Sequence, residues 1–333
     1  MHNQLTRPLL TVLFPCLVLI QACLTTEPPA GDDAEDVGVV SEAAASAFGV
    51  MTVNVRIPVD GGENTWSQRL PRLVSMIKAD APAIIGLQEL RASTHADLSA
   101  ALPSYWWYWV ERGDGEMIAI YVDTARFDVL AWNYRDVTNG QRNNLCDGGE
   151  EDPKNRPIQV VKLRDRQNGR IRYFYNTHYP SKNSCERRGM ADIVADYIDG
   201  RADQSADVIL VGDLNDGIEP DGRLNGSYSR LLSNTGFRSA YAAVNAVDAS
   251  GAFRTGNGDW NKTARTGRMI DHILVSTPGA EVLSAFVDRS MFTSAGSRVW
   301  CSTVTNGYCS NGTAANSLRL YSDHWAVVAW LAP

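Results

Sequence analysis

Asp207-Val-Ile-Leu-Val-Gly-Asp-Leu-Asn215 is the stretch from which the fold is read. Asp207 to Val211 is an apolar run of strand length, and Gly212-Asp213-Leu214-Asn215 follows with a carboxylate and an amide two residues apart. A strand that ends in such groups aims them off a sheet edge, where a cleft can form. The same arrangement recurs outward along the chain: Asn54 closes one strand-like run, Gln88-Glu89 a second and Asn176-Thr177-His178 a third. Ile270-Asp271-His272 and Ser322-Asp323-His324 accompany the last two runs. One carboxylate after a strand is commonly a solvated loop residue, and one His is commonly structural. The ordered set carries more weight than any member.

The segments between these features alternate in period. Val50 to Val55, Ala83 to Gln88, Tyr105 to Val110, Met117 to Val122 and Phe127 to Trp132 read as strands. Ile158–Leu163 and Arg170–Asn176 form a hairpin signal across Asn168-Gly169, and Met269–Ser276 and Trp325–Trp330 complete the set. Leu70, Leu73, Val74 and Ile77 fall at helical spacing behind Ser67 as N-cap, and Met190, Ile193, Val194, Tyr197 and Ile198 mark a second helix. This mixture predicts an α/β or α+β domain with mostly antiparallel sheets and outer helices. Trp106-Trp107-Tyr108-Trp109 is expected to be a strand that buries alternate rings.

At 333 residues and 44% apolar content, the chain can build one large core or two modest ones. Its net charge of −7 excludes a static nucleic-acid-binding role, for which phosphate neutralisation demands basic surface. Turnover of a polyanion through a divalent metal and local arginines stays open. Near the start, Arg7 and the apolar run Leu9–Ile20 read as an export signal covering residues 1–22. The run ends in Gln21-Ala22-Cys23, which resembles a bacterial lipoprotein signal with Cys23 as the lipidated residue. Residues 23–48 are acidic, carry Pro and Gly, and read as a disordered tether, leaving 49–333 as the domain. Export to the cell envelope or beyond sets an oxidising compartment. Cys146, Cys185, Cys301 and Cys309 then read as two disulfides with three possible connectivities, of which Cys146–Cys185 and Cys301–Cys309 are favoured. The spacing lacks the short Cys-x-x-Cys pairs of a zinc site.

Taken in order, Asn54, Gln88-Glu89, Asn176-Thr177-His178, Gly212-Asp213-Leu214-Asn215, Asp271 and Ser322-Asp323-His324 resemble the exonuclease/endonuclease/phosphatase superfamily across essentially all of 49–333. The resemblance implies a four-layer sandwich, two packed mixed β-sheets flanked by helices, with the active site at one edge between the sheets. It also implies metal-dependent phosphoester hydrolysis. That chemistry needs charge neutralised on the phosphoryl oxygens, an activated water and help for the leaving alkoxide. Glu89, Asn54 and Asp323 are the expected ligands of Mg²⁺, with Ca²⁺ or Mn²⁺ as alternatives, because hard cations take oxygen donors. Asp213 and Asn215 suit orienting water and phosphate. His178 and His324 suit donating hydrogen bonds or protons, provided a carboxylate holds each ring. The family places Asp271 beside His324, and its deoxyribonuclease branch places Glu116 beside His178.

His178 in Asn-Thr-His-Tyr-Pro is similar to the pancreatic-type deoxyribonucleases, sphingomyelinases and inositol-polyphosphate phosphatases, whereas abasic-site endonucleases carry Tyr there. Arg91 in Gln-Glu-Leu-Arg resembles a deoxyribonuclease arginine that enters the DNA minor groove. Arg156 in Asn-Arg-Pro-Ile resembles one that meets phosphate, and Trp260 lies where relatives place a substrate-contacting aromatic. These features make DNA the expected substrate and a monomer the expected state, with a phospholipid phosphodiesterase as the competing enzyme and an inactive binding module as the non-enzymatic alternative. A Ser-His-Asp hydrolase through Ser322 or Ser181 lacks its Gly-x-Ser-x-Gly elbow. A zinc hydrolase through His178 and His324 lacks a His-Glu-x-x-His helix. His272 and His95 are expected to be structural.

Overall fold

The computed structural model describes residues 46–333 apart from 143–145, 147–151, 201–202, 204, 220, 246–254, 256–267, 277–278, 301–303, 306–307 and 310–317. The expected export signal, most of the tether and Cys23, Cys301 and Trp260 lie outside the described residues, as does the side chain of Cys309. No described helix is long and apolar enough to cross a membrane.

Twelve strands form two six-stranded sheets. The first runs in the order β11 (Val282–Asp288), β16 (Ala326–Leu331), β1 (Phe48–Asn54), β2 (Ile84–Leu90), β4 (Met117–Asp123) and β3 (Tyr105–Glu111). The second runs β5 (Phe127–Arg135), β6 (Ile158–Asp165), β7 (Ile171–His178), β8 (Asp207–Ile218), β10 (Met269–Val275) and β9 (Arg238–Ser239). The short strands β12 (Ser290–Phe292) and β13 (Arg298–Trp300) pair with each other, as do β14 (Val304–Thr305) and β15 (Tyr308–Cys309). The longer helices are α1 (Trp66–Asp80), α2 (Ala92–Ala101), α3 (Ser184–Asp199) and α4 (Gly226–Thr235). This is the mixed, flanked two-sheet sandwich expected from the sequence.

Each sheet is antiparallel except for one central pair: β1 with β2, and β7 with β8. Parallel neighbours finish at the same end. Asn54 therefore lies opposite Gln88 in one sheet, and His178 opposite Asp213 in the other. The central strands are apolar on both faces because each is covered twice; all seven residues of β1 are buried. Gly86 sits where the sheets approach, and a Cβ there would meet Val211 Cγ2 at 2.2 Å. Asn176 ties the layers together from within. Its Nδ2 donates to Leu87 O at 3.1 Å and Ala119 O at 2.9 Å, and its Oδ1 accepts from Gln88 Nε2 at 2.8 Å. Asn176 and Gln88 are thus buried bridges between the sheets, and the reacting groups stand one or two residues further on.

Three local expectations change. The residue before α1 is Thr65, so Ser67 lies within the first turn. Gly212 to Asn215 is no turn after a strand: β8 continues to Ile218, and it is distorted by Gly212 at φ 153° and Asn215 at φ 49°. The aromatic run is an edge strand, so none of its rings is enclosed. Trp106 and Tyr108 lean on Trp132 of β5, while Trp107 and Trp109 pack against His95 and stay about two-fifths exposed.

Candidate active site

The strand ends gather two histidine–carboxylate pairs around one buried aspartate. His178 Nδ1 lies 3.1 Å from Glu116 Oε1, and His324 Nδ1 lies 2.9 Å from Asp271 Oδ2. Each carboxylate fixes its ring so that Nε2 is the nitrogen left to act. Asp213, 1% exposed, stands between them, with Oδ2 3.6 Å from His178 Nε2 and 3.9 Å from His324 Nδ1. Asn215 Nδ2 approaches His178 Nε2 at 3.3 Å and donates to Tyr179 O at 3.0 Å. The left-handed backbone at Asn215 is what brings its amide back over the histidine.

Across the gap between sheets, Asn54 Nδ2 donates to Asp213 Oδ2 at 3.0 Å and to Glu89 Oε1 at 2.9 Å. Glu89 also sits at positive φ, 61°, and accepts from the Ile57 amide at 3.2 Å. Burial opposes its charge, yet His178, the Asn54 hydrogen bond, His324 and the Ile57 amide together hold its pKa down at about 2. Asp213 is pushed up by its burial and by Asp271, and Asp323 is pushed up by its burial. Burial works against a charge on His324, but Asp271 and Asp213 outweigh it and raise the imidazole well above its ordinary value. Carboxylates thus crowd the centre in excess of what the histidines neutralise.

That excess suits a hard divalent cation. Glu89, His178 and Asp213 place ligand atoms within 4.8 Å of one another, as do Asp213, Asp271 and His324. Glu89 stays ionised in spite of its burial, which offers such an ion its carboxylate; Asn54 turns Nδ2 to Glu89 and Oδ1 to the Arg56 amide, so its oxygen would face an ion there only after the amide turns over. Asp323, the third expected ligand, is engaged by Arg56, whose Nη1 is 2.9 Å from Asp323 Oδ2.

Arg56 and Arg69 escaped the sequence reading. Arg56 stands at φ 60°, and its guanidinium spans Asp323 and Asp60. Arg69 is fully buried beneath the site and donates to the carbonyls of Val55, Arg56, Asn64 and Tyr321. It clamps the two loops that carry Arg56 and Asp323, and its burial lowers its pKa to about 10. Its only signal was an arginine one residue before Leu70, on a helix whose apolar residues face the core. Thr255 was missed as well. Its Oγ1 accepts from the amides of Ile270 and Asp271, and its carbonyl accepts from Trp325 N, which fixes the backbone on both sides of the Asp271–His324 pair.

The remaining expected residues stand outside this centre. Arg91 caps the start of α2 and gives its guanidinium to Asp114 O, so it is folded onto the loop between β3 and β4. Arg156 is buried and paired with Asp152. His272 is fully enclosed, stacked on Tyr228 at 4.3 Å, with Nε2 3.0 Å from Asp216 O; burial lowers its pKa to about 4. Cys146 and Cys185 form a disulfide that ties Cys146 to α3.

The Endonuclease/Exonuclease/phosphatase family matches residues 51–324, which is most of the chain. The chain belongs to that family. A search of curated proteins finds no match. Among solved structures, the mannosyl-6-phosphatase of Bacteroides thetaiotaomicron is similar at 23% identity and a TM-score of 0.66, covering 86% of this chain and all of that one. The D. rerio TDP2 structure with a single-strand DNA product reaches 16% identity and 0.59, covering 86% and 100%. The human Nocturnin catalytic domain reaches 18% and 0.60, covering 86% and 94%. These likenesses show the fold. The family is one of phosphoester hydrolases that use divalent metals, and the chain is a phosphoester hydrolase by membership.

Proposed function

We propose that this protein is an exported, metal-dependent phosphodiesterase, anchored through a lipid on Cys23, that hydrolyses DNA with Mg²⁺ bound at Glu89 and Asn54. The observation that carries the reading is the convergence of His178–Glu116 and His324–Asp271 on Asp213, with Glu89 and Asn54 opposite. The cation supplies charge neutralisation at the phosphoryl oxygens. Asp213 takes the proton of the attacking water, and Asn215 keeps that water and the phosphate in line. His178 donates to a phosphoryl oxygen through Nε2. His324, held as imidazolium by Asp271, gives a proton to the leaving oxygen.

A substrate screen tests this. The mature chain from residue 23, with Cys23→Ser, is expected to nick plasmid DNA with Mg²⁺ and to stop on chelation. Rapid sphingomyelin turnover with plasmid left intact selects the phospholipid reading. Release of phosphate from a sugar 6-phosphate alone selects a monoesterase, the activity in the name of one structural neighbour.

A further inference from the structure

Of the ten large apolar or aromatic side chains that stand exposed among the described residues, five are on two strands: Trp107 and Trp109 on β3, and Leu130, Trp132 and Tyr134 on β5. β3 is the last strand of one sheet and β5 the last of the other. The two edges lie side by side. Trp132 packs on Trp106 at 5.4 Å and on Tyr108 at 6.5 Å, and Gln159 Nε2 donates to Tyr108 O at 3.1 Å. Together they make one aromatic face along a side of the sandwich, with Trp132 54% exposed. A clustered apolar face of this kind marks a contact surface, unlike apolar residues scattered singly. Its chemistry says what covers it. Trp and Tyr, each an apolar body with a polar tip, suit the boundary between membrane and water. A bulge in β5 between Val129 and Ala131 turns that edge away from the regular pairing a second copy would need. The face also begins where the chain enters the domain: Phe48 packs edge-on against Phe127, the first residue of β5, at 5.3 Å. The tether read between Cys23 and Phe48 joins here, and a coil of roughly 25 residues spans about 25–30 Å. A lipid on Cys23 would hold the face beside a bilayer at an effective concentration on the order of millimolar, so even weak contacts engage. At this end Arg164 and Arg166, both half-exposed, share the single carboxylate of Asp128, an excess of positive charge that favours anionic lipid.

We propose that the β3–β5 face docks on a phospholipid bilayer with anionic headgroups, placing Trp107, Trp109, Trp132 and Tyr134 in the headgroup layer. The inference rests on the export and lipid-anchor reading above. The edge strands keep backbone N–H and C=O groups that hydrocarbon cannot satisfy, which limits the contact to the interface. The face reaches the level of the reacting centre without covering it: Arg135 of β5 pairs with Ile158, which pairs with Thr177, the neighbour of His178. A docked domain therefore holds the centre to the side of the bilayer, which suits a soluble polymer better than a phospholipid as substrate.

The test uses the mature chain from residue 23 with Cys23→Ser, which has no lipid of its own. It is mixed with vesicles of phosphatidylcholine alone and of phosphatidylcholine with phosphatidylglycerol. Binding is read by flotation and by quenching of tryptophan emission with brominated lipid. Trp132→Ala/Tyr134→Ala removes two rings, and Tyr134→Glu alone leaves the Trp132 packing in place; melting curves check that each variant folds. The expected result is binding favoured by phosphatidylglycerol, quenching by the brominated chains, and roughly tenfold more lipid needed for half-binding in either variant. No binding by the parent, or equal binding by parent and variants, overturns the proposal. A dimer in sedimentation equilibrium that both variants disperse, with vesicles left unbound, gives the face to a second copy and overturns it as well. The anchor is judged separately, by the mass of the mature parent chain made in a bacterial host. An unacylated Cys23, with vesicle binding and its loss in the variants intact, refutes the lipid reading alone and keeps the docking face.

Discussion

Replacing Asp271 by Asn tests how much of the chemistry is set by one buried charge. Asp271 is fully enclosed, its Oδ2 accepts from His324 Nδ1 at 2.9 Å, and its amide is held by Thr255 Oγ1 at 3.1 Å. Asparagine has nearly the same shape, so backbone and ring placement survive and the change removes chiefly the negative charge. A hydrogen bond to a charged partner contributes about 1.5–3 kcal/mol. If that contribution is realised where His324 carries its proton toward the leaving oxygen, kcat falls by roughly 10- to 150-fold. The assay is steady-state cleavage of bis(p-nitrophenyl) phosphate at saturating Mg²⁺, with a melting curve to show that folding is retained. A cycle with His324→Ala sharpens the outcome. Asp271 acts through His324, so Asp271→Asn is expected to add almost nothing once the imidazole is gone. A loss below threefold in the single variant, or a double variant far worse than His324→Ala, refutes the assignment of Asp271 as the residue that positions His324.

Three further outcomes follow from the packing. Burial keeps His272 neutral with a pKa of about 4, against about 6.5 when unfolded, so its contribution is complete above pH 6.5 and is lost as the pH falls toward 4. The loss approaches about 3 kcal/mol, and urea midpoints at pH 7 and pH 4.5 should converge in His272→Phe relative to the parent chain; an identical pH slope counts against it. The Cys146–Cys185 bond spans 39 residues, and chain entropy makes its removal cost about 4 kcal/mol; reductant should lower the melting temperature of the parent chain well beyond any shift it causes in Cys146→Ser/Cys185→Ser, and equal shifts count against it. Gly86→Ala forces a Cβ to 2.2 Å from Val211 Cγ2 and 3.0 Å from Asn176 Oδ1, so about 1–3 kcal/mol of stability should be lost, and an unchanged melting curve would show that the sheets can part there.

The sandwich was legible because its strands are short apolar runs closed by polar residues, a signal that survives without tertiary information. The reacting groups were legible for the same reason, since they fall where those strands stop. What the sequence hid was which neighbour each group meets. Asn176 reads like His178, two residues away on the same strand face, yet one is a buried inter-sheet bridge and the other faces the centre, a difference set by how far each lies from the strand's end. Arg69 and Thr255 were invisible because they act on backbone carbonyls and amides of distant loops, and no local pattern encodes such contacts. The contact of Arg91 with Asp114 O was equally hidden, because an exposed arginine and one so engaged have the same sequence context.

Placing the centre at this edge follows from the two parallel pairs. An antiparallel neighbour would carry the next strand's end to the opposite side, whereas β1 with β2 and β7 with β8 deliver Asn54, Glu89, His178 and Asp213 to one side. The sheets then face each other across Asn54, which bonds to a carboxylate from each. This concentrates Glu89, Asp213, Asp271 and Asp323 in a space where burial raises Asp213 and Asp323. Like charges brought together in low dielectric destabilise the fold, and the strained backbone at Glu89 and Asn215 adds to that. Arg69 offsets part of it by bonding five carbonyls of the surrounding segments, and Arg56 by pairing with Asp323. A cation at Glu89 and a phosphate at the histidines would complete the neutralisation. The crowding that burial and strained backbone make costly is therefore what a metal and an anionic ester would together relieve.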